Sequence, residues 1–190
     1  MERRPLGSSG IEVSVVGLGC NNFGNRLGLE ATRRVVDTAL DLGVDFLDTA
    51  DIYGDLGGSE RLLGEVLEGR RERLLLATKF GHDMGDGEVA RGSRAYMRRA
   101  VDASLERLRT DRIDLLYYHR PDAVTPLAET LGAMEELVRE GKVRALGASN
   151  LDAEQLREAG GRIAALQNDY SLLERSDDAE TIPLCRELGV

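Results

Sequence analysis

The chain alternates between short apolar runs and longer stretches in which apolar positions recur every three or four residues. It opens with two extended pieces, Arg4–Leu6 and Ile11–Ser14, on either side of Gly7-Ser8-Ser9-Gly10. Glycine and serine between extended segments are turn chemistry, so this part is predicted to be a β-hairpin. Six apolar runs then read as buried strands: Val15–Leu18, Val44–Leu47, Leu74–Thr78, Ile113–Tyr118, Val143–Gly147 and Ile163–Leu166. A segment of helical periodicity follows each of them. Leu29–Leu42 is closed by Gly43, and Ser59–Glu68 has Ser59 near its N-cap. Ser93–Leu108 is capped by Ser93 and apolar at Met97, Val101, Leu105 and Leu108. Thr125-Pro126 starts a helix that runs to about Arg139, threonine as cap and proline at the first helical position. Asp152–Ala159 and Asp177–Leu188 complete the set, the last closed by Gly189.

Strict alternation of short apolar strands with helices predicts a parallel sheet covered by helices. An open doubly wound sheet and a (β/α)8 barrel both satisfy the pattern. The glycines after the first strand count against the former. Gly17-Leu18-Gly19 lacks the third glycine of a dinucleotide-binding turn and leads into Asn21-Asn22 instead of a helix.

Composition narrows the class. The 190 residues are enough for one domain with a sizeable core, and 42% hydrophobic and 31% charged residues are ordinary for a soluble globular chain. No apolar run is long enough to span a membrane. Met1-Glu2-Arg3-Arg4-Pro5 has no apolar stretch behind its charges, unlike a secretory signal. A net charge of −9 argues against general nucleic-acid binding, which needs a basic face. Cys20 and Cys185 lie far apart without ligand spacing, which fits a reducing cytoplasm. Neither His82 nor His119 has a second histidine or cysteine at ligand spacing, so no metal site is expected.

Polar residues follow the strand ends. Asp48 ends the second strand, with Tyr53 in the loop beyond it. Lys79 ends the third, His119 the fourth, Ser149-Asn150 the fifth and Gln167-Asn168 the sixth. In a β/α barrel these ends converge on one rim, where such folds carry their active sites. Singly, each has a plain structural reading: a helix cap for Asp48, loop packing for Tyr53, a core histidine for His119. Lysine occurs only at Lys79 and Lys142, and Lys79 directly follows an apolar run. His82 lies in Gly81-His82-Asp83-Met84-Gly85 and is expected to face solvent. Cys20, Asn21, Asn22 and Phe23, after the first strand, are candidates for a pocket wall.

Five segments, in order, resemble the aldo-keto reductases. Phe46-Leu47-Asp48-Thr49-Ala50-Asp51-Ile52-Tyr53-Gly54 is similar to the segment bearing that family's catalytic aspartate and tyrosine. Ala77-Thr78-Lys79-Phe80 resembles its lysine strand, and Leu116-Tyr117-Tyr118-His119-Arg120-Pro121-Asp122 its histidine strand. Gly141–Asn150 resembles the stretch ending in a cofactor-contacting serine and asparagine. Gln167-Asn168-Asp169-Tyr170-Ser171 resembles the segment with a carboxamide-binding glutamine.

The resemblance implies an NAD(P)H-dependent oxidoreductase that reduces aldehyde and ketone carbonyls of small molecules to alcohols, with NADP(H) preferred over NAD(H). It implies Tyr53 as general acid, Lys79 stabilising the phenolate, Asp48 holding Lys79 charged, and His119 donating a hydrogen bond to the substrate oxygen or assisting proton relay. Ser149, Asn150 and Gln167 are implied to hold the nicotinamide carboxamide. The expected fold is α/β, a (β/α)8 TIM-barrel type with an N-terminal β-hairpin, truncated after about six strands, since such a barrel takes about 250 residues and eight strands. Residues 1–190 are then a single incomplete barrel domain, without the family's loops for the cofactor's phosphates and adenosine. A cofactor-binding or regulatory subunit and an inert fragment are the alternatives, and the oligomeric state is open.

Overall fold

A computed structural model describes residues 1–190. Strands β1 (Arg3–Pro5) and β2 (Glu12–Ser14) pair antiparallel as the hairpin. Strands β3 (Gly17–Gly19), β4 (Phe46–Asp48), β5 (Leu75–Phe80), β6 (Ile113–Tyr118), β7 (Val143–Ser149) and β8 (Ala165–Gln167) form one parallel sheet in sequence order. Helices α1 (Leu29–Asp41), α2 (Tyr53–Val66), α3 (Arg94–Leu108), α4 (Leu127–Arg139) and α5 (Ala153–Ala159) connect them, and α6 (Thr181–Leu188) follows β8. Consecutive helices pack on one another, and the sheet curls inside them as a partial β/α barrel. Its edge strands β3 and β8 each have one neighbour only.

The period-two alternation of strands sorts their side chains to two faces. On the inner face Ala77, Leu115, Tyr117, Ala145 and Ala165 form a core with Ile11 and Val13 of the hairpin, with Phe46 and Leu75 packed against it. On the outer face Leu47 and Leu76 pack with Val36, Leu63 and Val66 of α1 and α2. Phe80, Leu116, Tyr118, Leu146 and Ala148 pack with α3, α4 and α5. At the hairpin end Asp114 is buried, accepting from Arg71 and Arg144 (2.6 Å each) and from the Leu76 amide (2.9 Å).

Several element limits differ from the sequence reading. Val15 and Val16 are exposed and precede β3, because the chain is still leaving the hairpin there. Ser59 stands near the start of the regular part of α2, as expected, but its hydroxyl donates to the Cys20 carbonyl instead of capping it. The segment Gly54–Gly57 is left-handed at every residue, and α2 is regular only beyond it. Thr125 does not cap α4 either: its hydroxyl donates to Asp122 Oδ2 (2.9 Å), and Pro126 stands at the cap. Asp177 lies in a 3-10 turn, and α6 starts at Thr181. Ser93 does cap α3, accepting from the Tyr96 amide, and Asp152 forms a capping box with Gln155.

Candidate active site

The inner-face phase carries straight through to the strand ends. In β5 Ala77 points inward, so Lys79 does too. In β4 Phe46 and then Asp48 point inward. In β7 and β8, Ala145 leads to Ser149 and Ala165 to Gln167. The register places Asp48 beside Ala77, Lys79 beside Tyr117, and Ser149 beside Gln167. Polar residues from neighbouring strands therefore meet above one apolar inner core.

Lys79 is completely buried. Its Nζ donates to Asp48 Oδ1 (2.6 Å) and to the Thr49 carbonyl (3.0 Å). It also stands 5.0 Å from the centroid of the Tyr53 ring and 5.8 Å from that of Tyr117. A buried ammonium needs such partners, since desolvation otherwise favours its neutral form. The second Asp48 oxygen accepts from Gln167 Nε2 (3.2 Å). Backbone bonds from Thr49 to Ala77 and from Asp51 to Lys79 (3.0 Å each) zip the loop bearing Tyr53 onto β5.

The His119 ring stands edge-on to Tyr53, centroids 6.0 Å apart. Burial, then the Lys79 charge, pushes its pKa down to about 3, so this imidazole is neutral at physiological pH. Its Nδ1 is buried without a partner in the chain. His82 is not solvated as the sequence suggested. It is half-buried, with its ring 4.9 Å from that of His119. Because a carbonyl oxygen only accepts, His82 Nδ1 is the donor in its 3.2 Å contact with the Asp83 carbonyl. The one sequence signal for His82 was its place three residues beyond Lys79, on the loop leaving the same rim.

Ser149 donates to the Gln167 carbonyl (2.6 Å). Asn150, at φ +59°, donates from Nδ2 to the His119 carbonyl (2.9 Å) and to Ser149 Oγ (3.0 Å). Asn150 Oδ1, Gln167 Oε1 and the second Nε2 hydrogen of Gln167 make no hydrogen bond within the chain.

Seven of the eight residues singled out at the strand ends thus belong to one hydrogen-bonded and ring-contact network, whereas Asn168 turns away and donates from Nδ2 to the Leu151 carbonyl (2.9 Å) and to Asp177 Oδ2 (3.0 Å). The pocket-wall expectation fails for two residues. Cys20 and Phe23 are buried among α1 and α2, and only Asn21 and Asn22 face solvent. Burial, helped by the Asp48 charge, pushes the Cys20 thiol up to about 12. Tyr117 and Asp51 are polar groups of this region that sequence reasoning passed over. Tyr117 points inward beside Lys79, its hydroxyl kept protonated by burial. Asp51 is buried with Oδ1 unpartnered.

The family model described as "Aldo/keto reductase family" matches residues 15–190. Among solved structures, the aldo-keto reductase AKR11C1 from Bacillus halodurans, in its holo form, superposes with a TM-score of 0.90 at 38% identity. That match covers 100% of this chain and 64% of the other, so the chain spans a little under two thirds of its length.

Proposed function

The chain belongs to the aldo/keto reductase family, and from that premise we propose that it is an NAD(P)H-dependent carbonyl reductase module with Tyr53 as its general acid. Residues 1–190 are read as one incomplete barrel domain carrying the proton-handling half of the site. The observation that carries this reading is the Asp48–Lys79–Tyr53 arrangement: a fully buried ammonium, fixed by two acceptors, 5.0 Å from the tyrosine ring.

An ordinary phenol titrates near 10, so Tyr53 needs help to give up a proton at neutral pH. Lys79 supplies it by stabilising the phenolate as it forms. In a buried site two opposite charges a few ångströms apart attract by on the order of a few kcal/mol. Asp48 and the Thr49 carbonyl accept from the Lys79 ammonium and prevent it from turning away. His119 is neutral and has one N–H to offer the substrate oxygen, so it orients the carbonyl without competing as an acid. Ser149, Asn150 and Gln167 would hold the carboxamide of the nicotinamide, whose reduced ring supplies the hydride when bound. NADP(H) is the proposed form, from family membership. The substrate is a small aldehyde or ketone, and the free thiols Cys20 and Cys185 suit a reducing compartment such as the cytoplasm. No helix is long and apolar enough to cross a membrane.

The test is NADPH oxidation with 4-nitrobenzaldehyde, on the chain and on the same residues carried in a complete eight-stranded barrel. Tyr53→Phe is expected to lower kcat about 10²- to 10⁴-fold, the usual contribution of a positioned general acid. A complete barrel that binds NADPH yet reduces no carbonyl in a broad panel would overturn the reading in favour of a cofactor-binding partner role.

A further inference from the structure

The outer face of the strands carries a second set of polar contacts, behind the site. Thr49 and Thr78 point outward toward α2, each one residue along from an inward-pointing member of the charge pair, Asp48 or Lys79. Ser59 and Glu60 begin the regular part of α2. Ser59 Oγ donates to the Cys20 carbonyl (2.9 Å) and lies 2.9 Å from Thr49 Oγ1. A serine has one hydroxyl hydrogen, so the Thr49 hydroxyl is the donor in the second bond. Thr78 Oγ1 donates to Glu60 Oε1 (2.6 Å), while Arg107 Nε from α3 donates to Oε2 (2.7 Å). Thr49, Ser59, Glu60, Thr78 and Lys79 are all completely buried, so no bulk water competes for these bonds.

We propose that Ser59 and Glu60 are positioning residues that clamp the ends of β4 and β5 and so place Lys79 against Asp48 and Tyr53. The inference rests on the reading of Lys79 and Tyr53 as the proton-handling pair. Thr49 is the joint of the device. Its side chain is held outward by Ser59, while its carbonyl accepts the inward Lys79 ammonium at 3.0 Å. Glu60 holds Thr78, the residue immediately before Lys79. The same helix start also fixes Tyr53, because only the left-handed turn Gly54–Gly57 separates them. That turn has no slack: a side chain on Gly54 would run into the Phe23 carbonyl and the Ser59 amide. One helix end therefore sets both partners of the pair. Displacements of about 1 Å in such an arrangement can cost about 10²-fold in rate.

The least disturbing test removes one hydroxyl at a time in the full chain, with Thr49→Val and Thr78→Val. Each is expected to lower kcat about 10- to 10²-fold with the KM values for NADPH and aldehyde within threefold, and Thr49→Ser and Thr78→Ser should restore it. A readout independent of turnover comes from the sequence, which has only two lysines, Lys79 and Lys142. With ¹³Cε-labelled lysine, the Lys79 resonance should move in both valine variants and return in the serine variants, while that of Lys142 stays. Folded valine variants with an unchanged Lys79 resonance and unchanged kcat would overturn the clamp. If a complete barrel carrying these residues binds NADPH and reduces no carbonyl but Lys79 still responds, the clamp stands and the proposed function falls.

Discussion

At the residue scale, burial decides which groups carry charge. His119 is kept neutral by its desolvation and by the Lys79 charge, whereas Lys79 keeps two acceptors and Asp48 accepts from both Lys79 and Gln167. Asp51 is the opposite case, since burial and then the Glu60 charge push its carboxyl up from 3.8 to about 7. Below about pH 4 folded and unfolded chains both hold the Asp51 proton. Between about 4 and 7 the folded chain keeps a proton that the unfolded chain has lost, so this group's contribution to stability falls as pH rises. Above about 7 the whole cost of ionising a buried carboxyl is present. Asp51→Asn should therefore raise Tm at pH 8 and give no such gain at pH 4. The limit is on the order of 4 kcal/mol at about 1.4 kcal/mol per pH decade. Thermal melts at the two pH values check this, and an equal change at both would show that ionisation is not the cause.

At the element scale, the strands are short and their register has to be held by side chains. Asp114 on β6 joins Arg71 before β5, Arg144 on β7 and the β5 backbone at Leu76. These contacts hold its carboxyl below the ordinary aspartate range, against the opposing effect of burial. It is nearly inaccessible, so removing it leaves Arg71 and the Leu76 amide without their shared acceptor. Asp114→Ala is expected to cost about 3–5 kcal/mol, the range for breaking a buried pair from one side. Urea unfolding should show a lowered midpoint with an unchanged slope. A loss under 1 kcal/mol would mean that hydrophobic packing alone fixes the register of β5, β6 and β7.

At the scale of the whole molecule, two features stand out. The helices cover the outer face and the hairpin fills the bottom of the inner face, but β3 and β8 are edges. Val16, Leu18, Val35 and Leu42 line a groove of about 470 Å³ beside β3, and Leu172 and Leu173 stand exposed just beyond β8. Unpaired parallel edges flanked by apolar side chains favour pairing with another chain. The 190-residue chain by itself is expected to associate with rising concentration, as read by light scattering after gel filtration. The same residues within a closed barrel should not. A monodisperse monomer of the short chain at high concentration would show that the edges are adequately protected.

The strand-helix alternation, the hairpin and the placing of polar candidate residues at the strand ends were legible in the sequence, because periodicity and turn chemistry are local properties. Motif order also disclosed the family, and with it the expectation of a barrel. Local reading stopped where a residue's role depends on a distant one. It put Ser59 near a helix cap and made Thr125 one, but their hydroxyls serve Cys20 and Asp122 instead. It left His82 in solvent, although loop packing lays it on His119. It gave no phase to the strands, and phase is what turns Asp48, Lys79, Ser149 and Gln167 inward while Thr49 and Thr78 face α2. Periodicity by itself tells a strand that it has two faces. Only the curl of the sheet, with helices outside and the hairpin within, decides which face becomes the site.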